Sequence, residues 1–177
     1  MMGLPFSVIV SDVKENASKD LPPDRYVMEL ALQKARAVAA EHPDACVIGC
    51  DTIVYLDGEI LGKPHTPENA KRFLSRMQGR DHLVYTGVAV ITNGRADVDV
   101  AETEVTFSPM TEEEIDWYVS TGEPLDKAGA YGVQGSACLF VEKVSGNYFN
   151  VVGLPVPLLY RMLKNAGVVD CGNNIHS

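Results

Sequence analysis

Two periods of apolar and polar positions alternate along the 177-residue chain, and the switches between them mark its elements. "FSVIVSDV" (6–13) is an apolar run that predicts a short buried strand. The polar stretch "ENASKDLPP" reads as a loop, and Pro22-Pro23 launches a helix over about 24–40. Val27, Leu30, Ala31 and Val38 recur there at the 3.6-residue period. Lys34 falls in the middle of that stripe, flanked by Leu30 and Val38. Such a lysine either snorkels to the rim or points inward to meet an anion, and the pattern leaves both open.

"ACVIGCDTIVYL" (45–56) predicts a central strand, and "DGEI" turns the chain into a second, short one. Thr66-Pro67 is a helix start, with Thr as N-cap and Pro in the first turn. Ala70, Phe73, Leu74 and Met77 give that helix its buried face, and Gly79 closes it. "HLVYTGVAVIT" and "ADVDVAETEVTF" are strands joined across Asn93-Gly94, a strong hairpin signal. Thr111 and Glu114 form a capping box opening the helix "EEEIDWYVST", which Gly122 ends. Trp117 and Tyr118 on this helix read as packing residues. A glycine-rich loop, "GEPLDKAGAYGVQGSA", precedes a predicted strand "CLFVEKV". After a Gly146-Asn147 turn and "FNVVGLP", Pro155 starts a last helix to about Ala166.

Strands alternate with helices, but a hairpin is inserted. That predicts a single α/β domain over 1–167 with a mixed sheet flanked by helices, and a disordered tail over 168–177.

A formal net charge of −9 and a pI near 4.8 argue against a partner such as duplex nucleic acid. An anionic small molecule stays open, provided a few cations converge locally. No apolar run approaches a membrane span, so the default expectation is a cytoplasmic protein without a membrane partner. Cysteines at 46, 50, 138 and 171 lack any Cys-x-x-Cys or Cys/His zinc spacing and read as reduced thiols. A bound metal would then need oxygen ligands, which favours magnesium or manganese.

Three polar clusters interrupt the apolar pattern: Glu15 after the first run, Asp51-Thr52 with Lys63, and Asp126-Lys127 through Gln134. Each alone has a bland reading as a turn or a hydrogen-bonded strand residue. Neither Gly62-Lys63-Pro64 nor the later loop is a phosphate-cradling P-loop, and no Gly-x-Ser-x-Gly elbow exists. Together the clusters make chemical sense. Glu15 and Asp51 can complete a magnesium shell with phosphates and water. Lys34, Lys63 and Lys127 can neutralise a polyphosphate that the negative field of the protein would otherwise repel. A carboxylate beside a metal can deprotonate an attacking water, and Gln134 can donate and accept at a base edge.

"LPFSVIVSDVKEN", "VMELALQKA", "VIGCDTIVYLDGEILGKP", "GRDHLVYTGVAV", "EVTFSPMTEEEIDWYVSTGEPLDKAGAYGVQG" and "NYFNVVGLPVPLLYRML" resemble, in order, the Maf-like nucleotide pyrophosphatases. The resemblance runs from Gly3 to Gly167, and the 126–135 block is its most specific part. It implies an α/β fold like that of the inosine triphosphate pyrophosphatases, often as a homodimer. It also implies hydrolysis of a nucleoside triphosphate between the α and β phosphates, with a divalent cation. By motif position, Asp51 resembles the proton acceptor and metal ligand of the family, and Glu15 its acidic partner. Lys34 and Lys63 fall where family lysines contact phosphate, which favours the inward reading of Lys34. Thr52 and Gln134 match positions of the branch preferring dTTP and UTP.

Family members open with a strand, a Ser-x-Ser-Pro-Arg-Arg-like segment and a helix that lead into the Gly3–Phe6 equivalent. Here that opening is absent, and its arginines with it. A start codon placed too late is the preferred expectation, because everything downstream is intact; a shortened product would expose an apolar sheet edge. A non-catalytic nucleotide-binding regulator is the alternative function, given the family's link to septum formation in cell division.

Overall fold

Pro22 and Pro23 set the backbone for the first helix, α1 (Pro23–Glu41), whose first turn also carries Asp24 at its positive end. The computed structural model describes residues 4–11, 13, 17–18 and 20–169. α1 buries Val27, Leu30, Ala31 and Ala35, while Val38 is only partly buried.

α1 lies across strands β1 (Val47–Leu56) and β3 (Asp81–Thr92). Two glycines let it come close. A Cβ on Gly49 would sit 2.4 Å from the Ala31 carbonyl oxygen, and one on Gly87 would sit 2.4 Å from that of Val27. Ala31, Ala35 and Ala89 continue the small-residue contact, with Val47 and Ile91 filling its far end.

β2 (Glu59–Leu61), β4 (Arg95–Phe107) and β5 (Val141–Ser145) complete a sheet of order β2-β1-β3-β4-β5. The β3–β4 connection is the two-residue turn expected at Asn93-Gly94. Both residues have positive φ, 50° and 73°, as a turn matching the strand twist requires. Every ladder among the described residues is antiparallel. The parallel component expected from the helix–strand alternation is not among them: hairpins join β1 to β2 and β3 to β4, and the longer links, through β2 and α2 from β1 to β3 and through the segment after β4 to β5, also return the chain antiparallel. β2 covers only Val54, Tyr55 and Leu56 of β1, so the edge of β1 over 47–53 has no strand partner among the described residues.

The opposite face of the sheet is covered by α2 (Pro67–Met77), α3 (Glu112–Ser120), α4 (Tyr148–Val152) and α5 (Val156–Asn165). Thr66 caps α2, accepting from the Asn69 N–H at 3.3 Å, and Thr111 with Glu114 forms the reciprocal box on α3. Ala70, Phe73, Leu74 and Met77 are buried as the periodicity predicts. They join Leu61, Phe107 and Tyr118 in the largest core cluster, while α5 packs Leu158, Leu159, Met162 and Leu163 on Val88 and Val90.

Four expectations need correction. The run 6–13 does not form a buried strand: its described residues carry no strand, and Phe6, Val8 and Val10 are exposed. Apolar content alone does not make a strand; the backbone needs a ladder partner, and none of the five described strands supplies one. The strand expected over "CLFVEKV" shortens to Val141–Ser145, since 136–139 form a 3₁₀ turn. Trp117 is half-exposed, so only Tyr118 of the pair is buried. Finally, Val168 and Val169 pack against the α5 cluster, so the ordered chain extends past Gly167. Residues 170–177 of the expected tail lie outside the described residues.

Candidate active site

A cleft of about 590 Å³ runs between β1, the glycine-rich loop after α3, and the end of α4. Asp51, Thr52, Lys63, Lys127 and Gln134 all line it. Three separate segments deliver them. Asp51 and Thr52 come from mid-β1, Lys63 from the corner after β2, and Lys127 and Gln134 from the loop. Successive strand residues face opposite ways. Thr52 and Val54 therefore share the α4 side with Val84, while Asp51 shares the α1 side with Gly49 and Ile53. Because β2 leaves this stretch of the β1 edge uncovered, residues of both faces border the cleft.

Lys34 is not in the cleft lining. It reaches Asp51 from α1, with Nζ donating to Oδ1 at 2.5 Å. The pair is partly shielded, at 26% and 12% side-chain exposure, so the ammonium is directed inward and does not snorkel to the rim. This answers the cost of placing a carboxylate in a strand: an amine from the covering helix meets it. Glu15 lies outside the described residues.

The loop is held against β1 by its backbone. The Gly129 N–H donates to the Gly62 carbonyl at 3.1 Å, and a Cβ on Gly129 would meet Val54 at 2.5 Å. Gly129 and the buried Ala130 both adopt positive φ, 66° and 64°, a costly pairing for alanine. Lys127 Nζ donates to Asp126 Oδ1 at 2.6 Å. That hydrogen bond, with a contribution from Lys63, holds the Asp126 carboxyl below the usual range.

Some supporting residues carried no signal in the sequence pattern. Glu123 accepts from the Tyr118 phenol at 2.8 Å and from the Ser136 N–H at 3.0 Å. The same phenol oxygen accepts from the Gly132 N–H at 3.3 Å, so one carboxylate–phenol pair grips both sides of the turn presenting Gln134. Burial, then the Glu123 hydrogen bond, push the Tyr118 phenol up, which keeps it protonated. His82 Nε2 pairs with the Tyr131 hydroxyl at 2.9 Å behind the cleft wall, and burial lowers the imidazole to about 4, leaving it neutral at pH 7. A carboxylate three residues past a helix end is the one cue that could have flagged Glu123.

No three His, Cys, Asp or Glu side chains come together as a metal cage among the described residues. The Cys50 thiol in the lining is pushed up to about 12, chiefly by burial and further by the Asp51 charge. It therefore stays protonated and offers no thiolate to a soft metal. Oxygen donors remain, which suits a hard cation that takes most of its shell from phosphates and water.

The family described as "Maf-like protein" matches residues 1–166. A dTTP/UTP pyrophosphatase of Bacillus velezensis is 48% identical over 168 residues, spanning 95% of this chain and 89% of the relative. Another of that name, from Symbiobacterium thermophilum, is 49% identical over 94% of this chain and 86% of the relative. A third, from Bacillus cereus, is 48% identical over 95% and 88%. With the site residues on one cleft and the match spanning nearly the whole length, the chain belongs to the Maf-like family.

Proposed function

We propose that this protein is a nucleoside triphosphate pyrophosphatase that hydrolyses dTTP and UTP to the monophosphate and pyrophosphate. The observation that carries this reading is the convergence of Asp51, Thr52, Lys63, Lys127 and Gln134 on one cleft of nucleotide size. The names of the relatives support the substrate class.

In this reading the base enters the side lined by Thr52, Val84, Val152 and Gln134. The triphosphate runs over the open edge of β1 towards Asp51. Lys63 and Lys127 offset its charge, which matters in a chain of net charge −9. Asp51 takes the proton of the water that attacks the α phosphorus, and pyrophosphate leaves. Lys34 holds the carboxylate in orientation from α1. A divalent cation, magnesium or manganese, would be held by Asp51 and, by the resemblance, Glu15, and would supply charge neutralisation at the phosphates. No helix among the described residues is long and apolar enough to cross a membrane, which suits a protein acting on a dissolved nucleotide pool.

The test is pyrophosphate release from dTTP and UTP with magnesium or manganese, against ATP and GTP as controls. Release from the two pyrimidine nucleotides at least roughly tenfold faster than from the purines is expected. Tight nucleotide binding without release would reject the enzyme reading in favour of a non-catalytic binder.

A further inference from the structure

The hydroxyl of Thr52 has its direction set from behind. Thr52 and Thr86 are directly paired across β1 and β3, and their Oγ1 atoms lie 2.8 Å apart. That contact alone leaves the donor undecided. Thr86 Oγ1 also lies 3.1 Å from the backbone carbonyl of Asn150, an oxygen that can only accept. A hydroxyl has one proton, and that of Thr86 is committed to Asn150. Thr52 must therefore donate to Thr86, and what it offers the cleft is a lone pair.

The arrangement is fixed on the far side as well. Thr86 and Asn150 are both 0% exposed, so no bulk water exchanges into it. Asn150 Nδ2 donates to the Val84 carbonyl and to Thr103 Oγ1, each at 3.0 Å, and its own N–H is taken by Asn147 Oδ1. On the cleft side Gly153 has no side chain to cover the Thr52 oxygen; a Cβ there would stand 3.5 Å from it. Gln134, by contrast, can turn its amide and present either a donor or an acceptor. Thr52 cannot adapt in that way.

We propose that Thr86 is a specificity-positioning residue that makes Thr52 an acceptor only, and so selects pyrimidine bases carrying a ring N–H over 4-amino pyrimidines. Thymine and uracil present an imide N3–H to an acceptor. Cytosine presents a lone pair at the same atom, and two lone pairs facing each other repel. This rests on the nucleotide hydrolysis reading and adds to it a discrimination between UTP and CTP.

The experiment measures kcat/KM for UTP and CTP in the full chain and in three variants. The unaltered protein is expected to prefer UTP by roughly tenfold or more, the scale of one mismatched polar contact. Thr86→Val frees the Thr52 proton to face the cleft, and the ratio should fall to within roughly threefold of parity. Thr86→Ser restores the hydroxyl and should restore the ratio. A merely structural Thr86 would slow both nucleotides alike and leave the ratio untouched, which would overturn the proposal. So would equal hydrolysis of UTP and CTP by the unaltered protein. If Thr86→Val does not fold, Thr52→Val removes the acceptor itself, and a preserved UTP preference there is equally fatal. Release of pyrophosphate from no pyrimidine triphosphate would instead strike the functional reading and take this one with it.

Discussion

Asp51→Asn is expected to lower kcat for dTTP by about a thousandfold, the scale of a lost general base, while the fold is retained. Asparagine has nearly the same volume, and its side-chain oxygen can still accept from Lys34 Nζ, so α1 keeps its seat on the strand. Lys34 is also not sealed in: at 26% side-chain exposure its ammonium can draw on solvent once the carboxylate is gone. What asparagine lacks is the basicity to take a proton from water. The effect should therefore fall on kcat, with KM for dTTP shifted by less than about tenfold, as expected when an interaction made only in the transition state is removed. Steady-state pyrophosphate release and a circular-dichroism melt measure the two halves. Unchanged turnover in a folded variant would remove Asp51 from the role of base.

The second large effect is structural and lies directly across the sheet. Gly87 is the register partner of Asp51, and α1 passes over it at backbone distance. A Cβ there would be 2.4 Å from the Val27 oxygen, 2.5 Å from the Val27 carbonyl carbon and 2.7 Å from the Met28 nitrogen. These are main-chain atoms, so no side chain can rotate away; the helix itself has to lift. Gly87→Ala should cost about 3 kcal/mol, near the top of the usual overpacking range. For a chain of this size that is a drop in melting temperature of about 10 °C. Because α1 carries Lys34, lifting the helix also draws the ammonium from Asp51. Turnover should fall by up to about a hundredfold in the folded fraction, the effect of a displacement near 1 Å. A melting temperature within a degree or two of the parent would mean that the helix is not seated on the glycine as described.

Local chemistry makes most of the elements legible in the sequence. Pro22-Pro23, Thr66-Pro67, the Thr111–Glu114 box and Asn93-Gly94 each satisfy a backbone requirement within a few residues, and each marks a boundary in the structure. Lys34 was half legible. Periodicity placed it on the buried stripe but could not say what it met, because its partner Asp51 lies 17 residues away on another element. The run 6–13 misled for the converse reason: its apolar residues look like a strand, yet strand formation depends on a neighbour the run does not specify. Thr86 and Asn150 were invisible, and Glu123 had only its place just past a helix end to mark it. A threonine in a strand or an asparagine in a short helix is ordinary, and only register, Thr52 against Thr86, shows that one hydroxyl orients another. The site residues that stood out did so because they are charged within apolar sequence; those that position them are neutral, or charged on a surface loop.

The central claim is that one nucleotide spans the cleft, with its base between Thr52 and Gln134 and its phosphates over the β1 edge at Asp51. A crystal structure with magnesium and the non-hydrolysable α,β-imido analogue of dUTP tests it most directly. The account predicts the uracil ring against Thr52 and Gln134, and the phosphates within hydrogen-bonding reach of Lys63 and Lys127 and beside Asp51. A nucleotide seated outside this cleft, or one whose phosphates point away from Asp51, would contradict it.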